Sequence, residues 1–363
     1  MAPAPIFTPG SRSSRRRSGA ALSRDRPRRA PADPMHPIPI PSPKGRPMIR
    51  PTLVTLLALG AAPAVAQDCA QGQRAFDHAA GETCIPADPQ RIASLRADQI
   101  TTPLLDIGAP VIATEMGRME DGSAYVRGAS DIFGQDVVDA AGLIDLGGHN
   151  PPDLEAVAAA APDLIMIRGY QSEALEQLSA IAPTVVVPDN MPYLEHLAWL
   201  ADVAGVTESY DERLDRYRAR LAKAREAIGD PSAITLSRFD LWEDGLWFYP
   251  NWGAVDQVID DLGFARPAIQ AEATENIFGL SVERLPDFDG DILIASRAPR
   301  FGQSIPMLTD QWDTVAPFWR DLSAVKEGEL YWYERDVWVG YSFASLDNVL
   351  DGLTLIAAGR DFD

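Results

Sequence analysis

Ten residues of this chain pair the side-chain chemistry of a small-molecule site with places at the ends of expected strands: His149, Arg168, Tyr170, Trp242, Trp247, Phe278, Arg297, Arg300, Trp338 and Tyr341. Guanidinium groups are planar forks that match carboxylate or metal-bound oxygens. Aromatic rings supply flat apolar faces that also attract cations. Aromatics interleaved with a few arginines therefore fit a bulky, partly apolar ligand carrying anionic or strongly polar oxygens. The same residues have plainer uses, the tryptophans as core between lobes and the arginines as solvated surface. Their collection at strand ends in two separate halves of the chain favours the ligand reading.

Other chemistries fit the sequence poorly. Once an export leader is set aside, His78, His149 and His196 remain, at no spacing that would hold a metal. Asp287, Asp289 and Asp291 resemble the start of a calcium loop, but Ile292 stands where that loop needs glycine. They read instead as a polar turn before a strand. Gly340-Tyr341-Ser342-Phe343-Ala344 has the outline of a loosened nucleophile elbow. No histidine follows Ser342 in the chain, and Ala344 replaces the final glycine. Ser342 is therefore expected to cap a helix, with a secreted hydrolase using Ser342 as the distant alternative.

The stretch from Leu143 to Val187 frames the first of these residues. Leu143 to Leu146 forms a short strand stopped by Gly147-Gly148. Asn150 can cap the helix that follows, Pro151 suits its first turn, and Asp153 and Glu155 favour its positive end. The alanine run ends at Pro162, and Asp163 to Ile167 reads as a buried parallel strand. Arg168-Gly169-Tyr170 then sits at its carboxyl end, where open α/β sheets bind ligands. Arg91 to Leu95 and Pro110 to Ala113 add two earlier strands. A glycine-rich excursion from Thr114 to Ser130 holds Arg118, Tyr125 and Arg127. Thr207 caps a long helix running to about Ile228, with Leu214, Tyr217, Leu221, Ala224 and Ile228 as its apolar stripe. It spans ~33 Å at the α-helical rise, enough to bridge two lobes. The grammar then repeats: Ile234 to Leu241, Asp291 to Ala295 and Glu329 to Tyr333 read as strands, Ala254 to Leu262 and a closing segment to Gly359 as helices. The pattern predicts an α/β protein of two doubly wound, Rossmann-like lobes, residues 88–203 and 231–363, joined by one long α-helix over 204–230.

Residues 1–47 are basic, rich in Pro and Ser, and too poor in apolar residues to fold. They are a disordered leader, or sequence ahead of a true start at Met48. From Met48 a basic start, an apolar run from Thr52 to Gly60 and the small residues Ala64-Val65-Ala66 compose a secretory signal over 48–66, cleaved after Ala66. Asp68 precedes Cys69 where a lipid-anchoring signal carries a small residue. Eleven of the 32 basic residues but only two of the 52 acidic ones precede Pro51, which leaves 21 against 50 and a net of −29 beyond it. So acidic a body is not drawn to nucleic acid or anionic lipid. An anionic ligand must instead meet a local group of arginines. In the segment 67–87, Cys69 and Cys84 would reach an oxidising compartment and are expected to pair, closing a loop worth about 3 kcal/mol.

The two lobes, the connecting helix, the export signal and the motifs DLGGHNPPDLEAV…APDLIMIRGY and DVWVGYSFASLDNVLDGL resemble the class III periplasmic binding proteins, which feed metal chelates to ABC importers. The resemblance covers about residues 88–358. Within that family the chain is most similar to the ferric-hydroxamate siderophore binders. Tyr170, Phe278 and Trp338 match aromatic positions of that branch, while His149 stands where the branch carries an arginine; Arg168, Arg118 or Arg297 are candidates to replace it. The resemblance implies a periplasmic carrier that performs no chemistry, works as a monomer and binds no cofactor of its own. Iron(III) would travel inside a ferric siderophore. It further implies small lobe movements, and that Glu155 and Glu283, one per lobe, dock on arginines of an inner-membrane ABC permease. Haem, with Tyr170 as axial ligand, and then cobalamin are the alternative cargoes.

Overall fold

The computed structural model describes residues 69–363 apart from Glu120, His149, Asp361 and Asp363. The basic leader, the signal segment with its cleavage site, and His149 therefore lie outside the described residues.

The first lobe is built on five parallel strands: β1 (Ile92–Ser94), β2 (Val111–Thr114), β3 (Ile144–Asp145), β4 (Leu164–Arg168) and β5 (Thr184–Val187). Their spatial order is β3-β2-β1-β4-β5. The chain thus winds outward one way from β1 and then returns to add β4 on its other side. A doubly wound sheet opens a crevice at such a reversal, at the strands' carboxyl ends. Here Arg96, just past β1, and Arg168 to Tyr170, at the end of β4, flank it. Leu164 to Ile167 are fully buried, as an unbroken apolar run in a parallel sheet should be. The helix α1 (Leu154–Ala160) returns the chain from β3 to β4. Its cap is Asp153, whose carboxylate accepts from the Glu155 and Ala156 N–H groups at 3.0 Å. Asn150, expected in that role, lies three residues too early.

Helix α2 (Tyr193–Ala204) ends at Gly205, and α3 (Thr207–Ile228) follows almost at once. Val206 holds the cap position of α3, and Thr207 is already inside the helix without a capping bond, contrary to the sequence expectation. Leu214, Tyr217, Ala224 and Ile228 are buried along its inner face, and Leu221 packs partly buried beside them.

In the second lobe β6 (Leu236–Arg238), β7 (Ile292–Arg297) and β8 (Leu330–Glu334) form a parallel sheet in that order. The single strand expected over Ile234 to Leu241 is in fact two. After Arg238 the chain leaves the parallel sheet, and Asp240–Trp242 pairs antiparallel with Gly245–Phe248, which pairs in turn with Ile277–Leu280. Phe239, at the break, drops into a second core against Phe288 and Trp312, with ring centres 5.7 and 5.6 Å away. Gly245 permits the hairpin, because a Cβ there would lie 2.3 Å from the Leu280 carbonyl oxygen. Helix α4 (Gly253–Leu262) ends at Gly263, and α5 (Phe343–Ala357) closes the lobe, capped by Ser342 accepting from the Ser345 N–H at 3.0 Å.

One continuous core spans both lobes through α2, α3, α4 and α5, with Leu197, Tyr217, Val255 and Leu346 among its members. Polar seams reinforce it. Asp106 of the first lobe accepts from Arg213 of α3 at 2.5 Å and from the Ala344 N–H of α5 at 3.0 Å. The Tyr217 hydroxyl donates to Asp261 at 2.6 Å. The lobes are thus joined on the helix side by shared packing and hydrogen bonds.

A hairpin of Gln73–His78 and Gly81–Pro86 covers the sheet edge at β5. The Ala79 N–H donates to the Val186 carbonyl at 3.0 Å, and the Val186 N–H to His78 Nδ1 at 3.3 Å. The Cys69–Cys84 disulfide staples this hairpin, which blocks an edge that would otherwise invite strand addition.

Candidate functional site

A cavity of about 450 Å³ opens between the lobes, within the size range of small-molecule sites. The first lobe lines it with Gln99, Arg168, Asn190, Tyr193 and His196, the second with Asn251, Gly253, Asp256, Gln257 and Tyr341. Arg168 leaves the end of β4 and donates to Asp189 at 2.6 Å. Tyr193 forms the floor: its hydroxyl accepts from the Ser342 N–H at 2.7 Å and donates to the Gly340 carbonyl at 2.9 Å. Its ring stacks on Tyr341, 5.2 Å between centres. His196 Nε2 donates to the Gln99 carbonyl at 2.7 Å. Burial lowers its pKa to about 4, so the ring is neutral at ordinary pH. Gly253 opens α4 at a positive φ of 65°, where a Cβ would sit 2.0 Å from the Val339 carbonyl oxygen.

Beside the cavity stands an aromatic wall. Phe278 meets Trp247 at 4.7 Å and Tyr249 at 5.4 Å, and Tyr249 stacks on Trp252 at 4.8 Å. Phe278 is 53% exposed, a costly placement for so apolar a ring unless something else covers it. The wall is anchored from below by Arg238, whose side chain is fully buried. Arg238 donates to Asp256 at 2.7 Å and to the Tyr249 carbonyl, and its guanidinium lies 5.2 and 5.1 Å from the Phe248 and Trp252 ring centres. Asp256 also accepts from the Trp252 N–H at 2.7 Å and from Arg266 at 3.0 Å. One buried ion pair therefore sets the whole loop from Tyr249 to Trp252.

A belt of charge crosses between the lobes at the strand ends. Arg300 bridges Asp131 of the first lobe at 3.1 Å and Asp336 of the second at 2.6 Å, over the Tyr125 ring at 4.4 Å. Arg127 of the first lobe reaches Asp336 at 3.3 Å and Asp98 at 3.4 Å. Arg96 pairs with Asp98 at 2.5 Å and Arg297 with Glu334 at 3.6 Å. With Arg168 on Asp189, five guanidinium groups thus face the five carboxylates of Asp98, Asp131, Asp189, Glu334 and Asp336, and their charges cancel. Burial pushes the Asp131 carboxyl above its usual range, against the pull of Arg300.

The expected site residues are distributed as follows. Arg168 and Tyr341 line the cavity; Trp247 and Phe278 belong to the aromatic wall. Tyr170 is 48% exposed on the rim, hydrogen-bonded to Arg96. Trp242 ends its antiparallel strand, partly buried. Arg297 and Arg300 are held in the ion pairs just given. Trp338 stacks on Tyr333 at 5.0 Å and fills the space over Gly352, so its ring belongs to the packing of α5. Glu155 and Glu283 are exposed at the starts of their helical turns. Ser342 is buried as the α5 cap, out of reach of a substrate. Asp287 pairs with Arg284, Asp289 accepts from the Ser323 N–H at 2.7 Å and Asp291 from the Thr235 N–H at 2.6 Å, so these carboxylates hold turns. Sequence reasoning missed Arg96, Arg335, Tyr193, His196, Tyr249 and Trp252. Arg335 follows β8 directly and Arg96 lies two residues past β1, close to the rule that picked out Arg168.

A sequence model of the family described as periplasmic binding protein matches residues 129–337. A probable siderophore-binding lipoprotein, YfiY, of Bacillus subtilis is 28% identical over 279 residues, which cover 73% of this chain and 81% of the relative. The ferric enterobactin-binding periplasmic protein FepB of Escherichia coli is 30% identical over 229 residues, 60% of this chain and 69% of the relative. In structure, Staphylococcus aureus SirA, solved in complex with staphyloferrin B, superposes with a TM-score of 0.64 at 18% identity, covering 78% of this chain and 98% of that one. At that identity the likeness is one of fold, an α/β protein of two lobes.

Proposed function

Since this chain belongs to the periplasmic binding protein family, we propose that it is the exported carrier of a ferric siderophore, taken up between the lobes and delivered to an ABC permease in the inner membrane. The observation that carries the reading is an interlobe cavity flanked by an exposed aromatic wall and a charge-cancelled belt of arginines. Iron is cargo: the siderophore fills its coordination sphere, and the protein offers ring faces to the chelate's frame and hydrogen bonds to its oxygens.

Charge favours the hydroxamate class. A ferric ion bound by three hydroxamates is neutral, whereas three catecholates make a trianion. Five of the cleft guanidiniums already carry carboxylate partners, so little positive charge is left to replace the hydration of a trianion. A neutral chelate asks for less.

Glu155 and Glu283 are the docking residues of this proposal. Both are exposed, one per lobe, and neither makes an ion pair among the described residues. The test is uptake of radioactive iron, given as the siderophore, by cells whose own copy of the gene is deleted. The wild-type gene restores import. A Glu155→Ala/Glu283→Ala double variant binds cargo normally but fails to restore it; full restoration removes the docking role, and no restoration by the wild type removes the carrier role.

A further inference from the structure

We infer that Arg335 is the residue that reads the cargo, its guanidinium binding the iron-coordinating oxygens of the chelate. The assignment rests on the carrier reading above and deepens it.

Arg335 follows β8 directly, next to the register position where Glu334 lies opposite Arg297. It is therefore at the carboxyl end of the second lobe's sheet, on the belt described above. Every other arginine of that belt is neutralised: Arg96, Arg127, Arg168, Arg297 and Arg300 each hold a carboxylate. Arg335 makes no ion pair among the described residues, and its Nε is buried without a hydrogen-bond partner. Its guanidinium lies 5.5 Å from the centre of the Phe301 ring, itself 59% exposed. It is close enough to Tyr249 and Asp240 to act on both electrostatically. Tyr249 belongs to the aromatic wall, so cation and wall serve one space. Asp240 is committed elsewhere, accepting from the Ser296 hydroxyl at 2.7 Å.

A partly desolvated cation with no carboxylate in direct contact is a stability cost, which buried Asp240 offsets only through space. This fold gives such charges a direct carboxylate partner at five neighbouring positions and gives this one none among the described residues. Such local sacrifices of stability mark functional positions. The oxygens that bind ferric iron, in hydroxamates as in catecholates or carboxylates, keep negative charge and free lone pairs. A guanidinium fork can span two of them.

The test uses the full exported chain with Arg335→Leu and Arg335→Lys. Each protein is titrated calorimetrically with a neutral ferric trihydroxamate and, separately, a ferric tricatecholate, and its thermal midpoint is recorded. The leucine variant should bind the wild type's chelate about 10- to 100-fold more weakly, the loss expected of one charged hydrogen bond. Its midpoint should stay near that of the wild type, because the cation removed makes no direct ion pair. Lysine, which keeps the charge but not the fork, should fall between. Leucine affinity within twofold of wild type overturns the assignment. So does an affinity loss that comes with a midpoint lowered by several degrees, since the role is then structural. A wild type that binds neither chelate defeats the carrier reading itself, and the assignment falls with it.

Discussion

Replacing Asp256 by Asn should be among the most damaging single changes in the second lobe. Asp256 is 1% exposed and Arg238 fully buried. The carboxylate takes 2.7 and 3.3 Å bonds from Arg238, a 3.0 Å bond from Arg266 and a 2.7 Å bond from the Trp252 N–H. An amide keeps the shape but removes the charge and turns one acceptor into a donor facing guanidinium. Stranding one member of a buried ion pair costs about 3–5 kcal/mol. At about 2–4 °C per kcal/mol for domains approaching this size, the midpoint should fall by roughly 6–20 °C. Chelate affinity should drop as well, because the loop from Tyr249 to Trp252 loses its anchor. The partner test is Arg238→Met combined with Asp256→Leu, which leaves no isolated charge at the pair; Arg266 still holds Asp260 at 2.8 Å. The double variant should recover much of the lost stability. Thermal circular dichroism of wild type, Arg238→Met, Asp256→Leu and the double variant gives the coupling directly. An Asp256→Asn midpoint within 2 °C of wild type, or a double variant no better than Asp256→Asn, would refute the claim that this pair organises the loop.

Three further outcomes are expected. His196 has its pKa lowered, mainly by burial, from 6.5 to about 4. A histidine depressed in the fold stabilises above its unfolded pKa and loses that contribution as pH falls, so stability should decline by about 3 kcal/mol between pH 6.5 and 4 and less so in His196→Gln, as followed by urea melts across that range. Gly253→Ala should destabilise by about 1 kcal/mol or more, since it combines a positive φ with a 2.0 Å approach to the Val339 oxygen, and should weaken binding through the cavity wall; an unchanged urea midpoint contradicts this. Removing the disulfide with Cys69→Ser/Cys84→Ser should cost about 3 kcal/mol while leaving affinity near wild type, because the hairpin covers the far edge of the sheet rather than the cleft.

Much of this architecture is legible in the chain. The Leu164 to Ile167 run, the stripe on α3 and the residues just past β4 announce themselves, because parallel strands and amphipathic helices write local patterns. The winding order does not. That β4 returns beside β1, making Arg96 a neighbour of Tyr170, follows from packing over long sequence separations. The break after Arg238 is hidden for a similar reason: an apolar run looks the same whether or not it changes partner midway. Trp338 illustrates a different limit. A tryptophan between a strand and a helix reads equally well as rim or as packing, and only the fit against Gly352 places its ring. Arg335 was passed over because sequence does not distinguish a paired guanidinium from an unpaired one. Asn150 and Thr207 each suit a helix cap by type, and were displaced by Asp153 and by the backbone at Val206.

The most direct measurement is a fluorescence titration of the exported chain, reading Trp247 and Trp252 in the aromatic wall, against a ferric trihydroxamate, a ferric tricatecholate, ferric citrate and haem. Saturable quenching at one chelate per chain is expected, tightest for the neutral trihydroxamate, with no response to haem. Quenching by haem alone, with a shifted Soret band, or no response to any iron chelate, would contradict it.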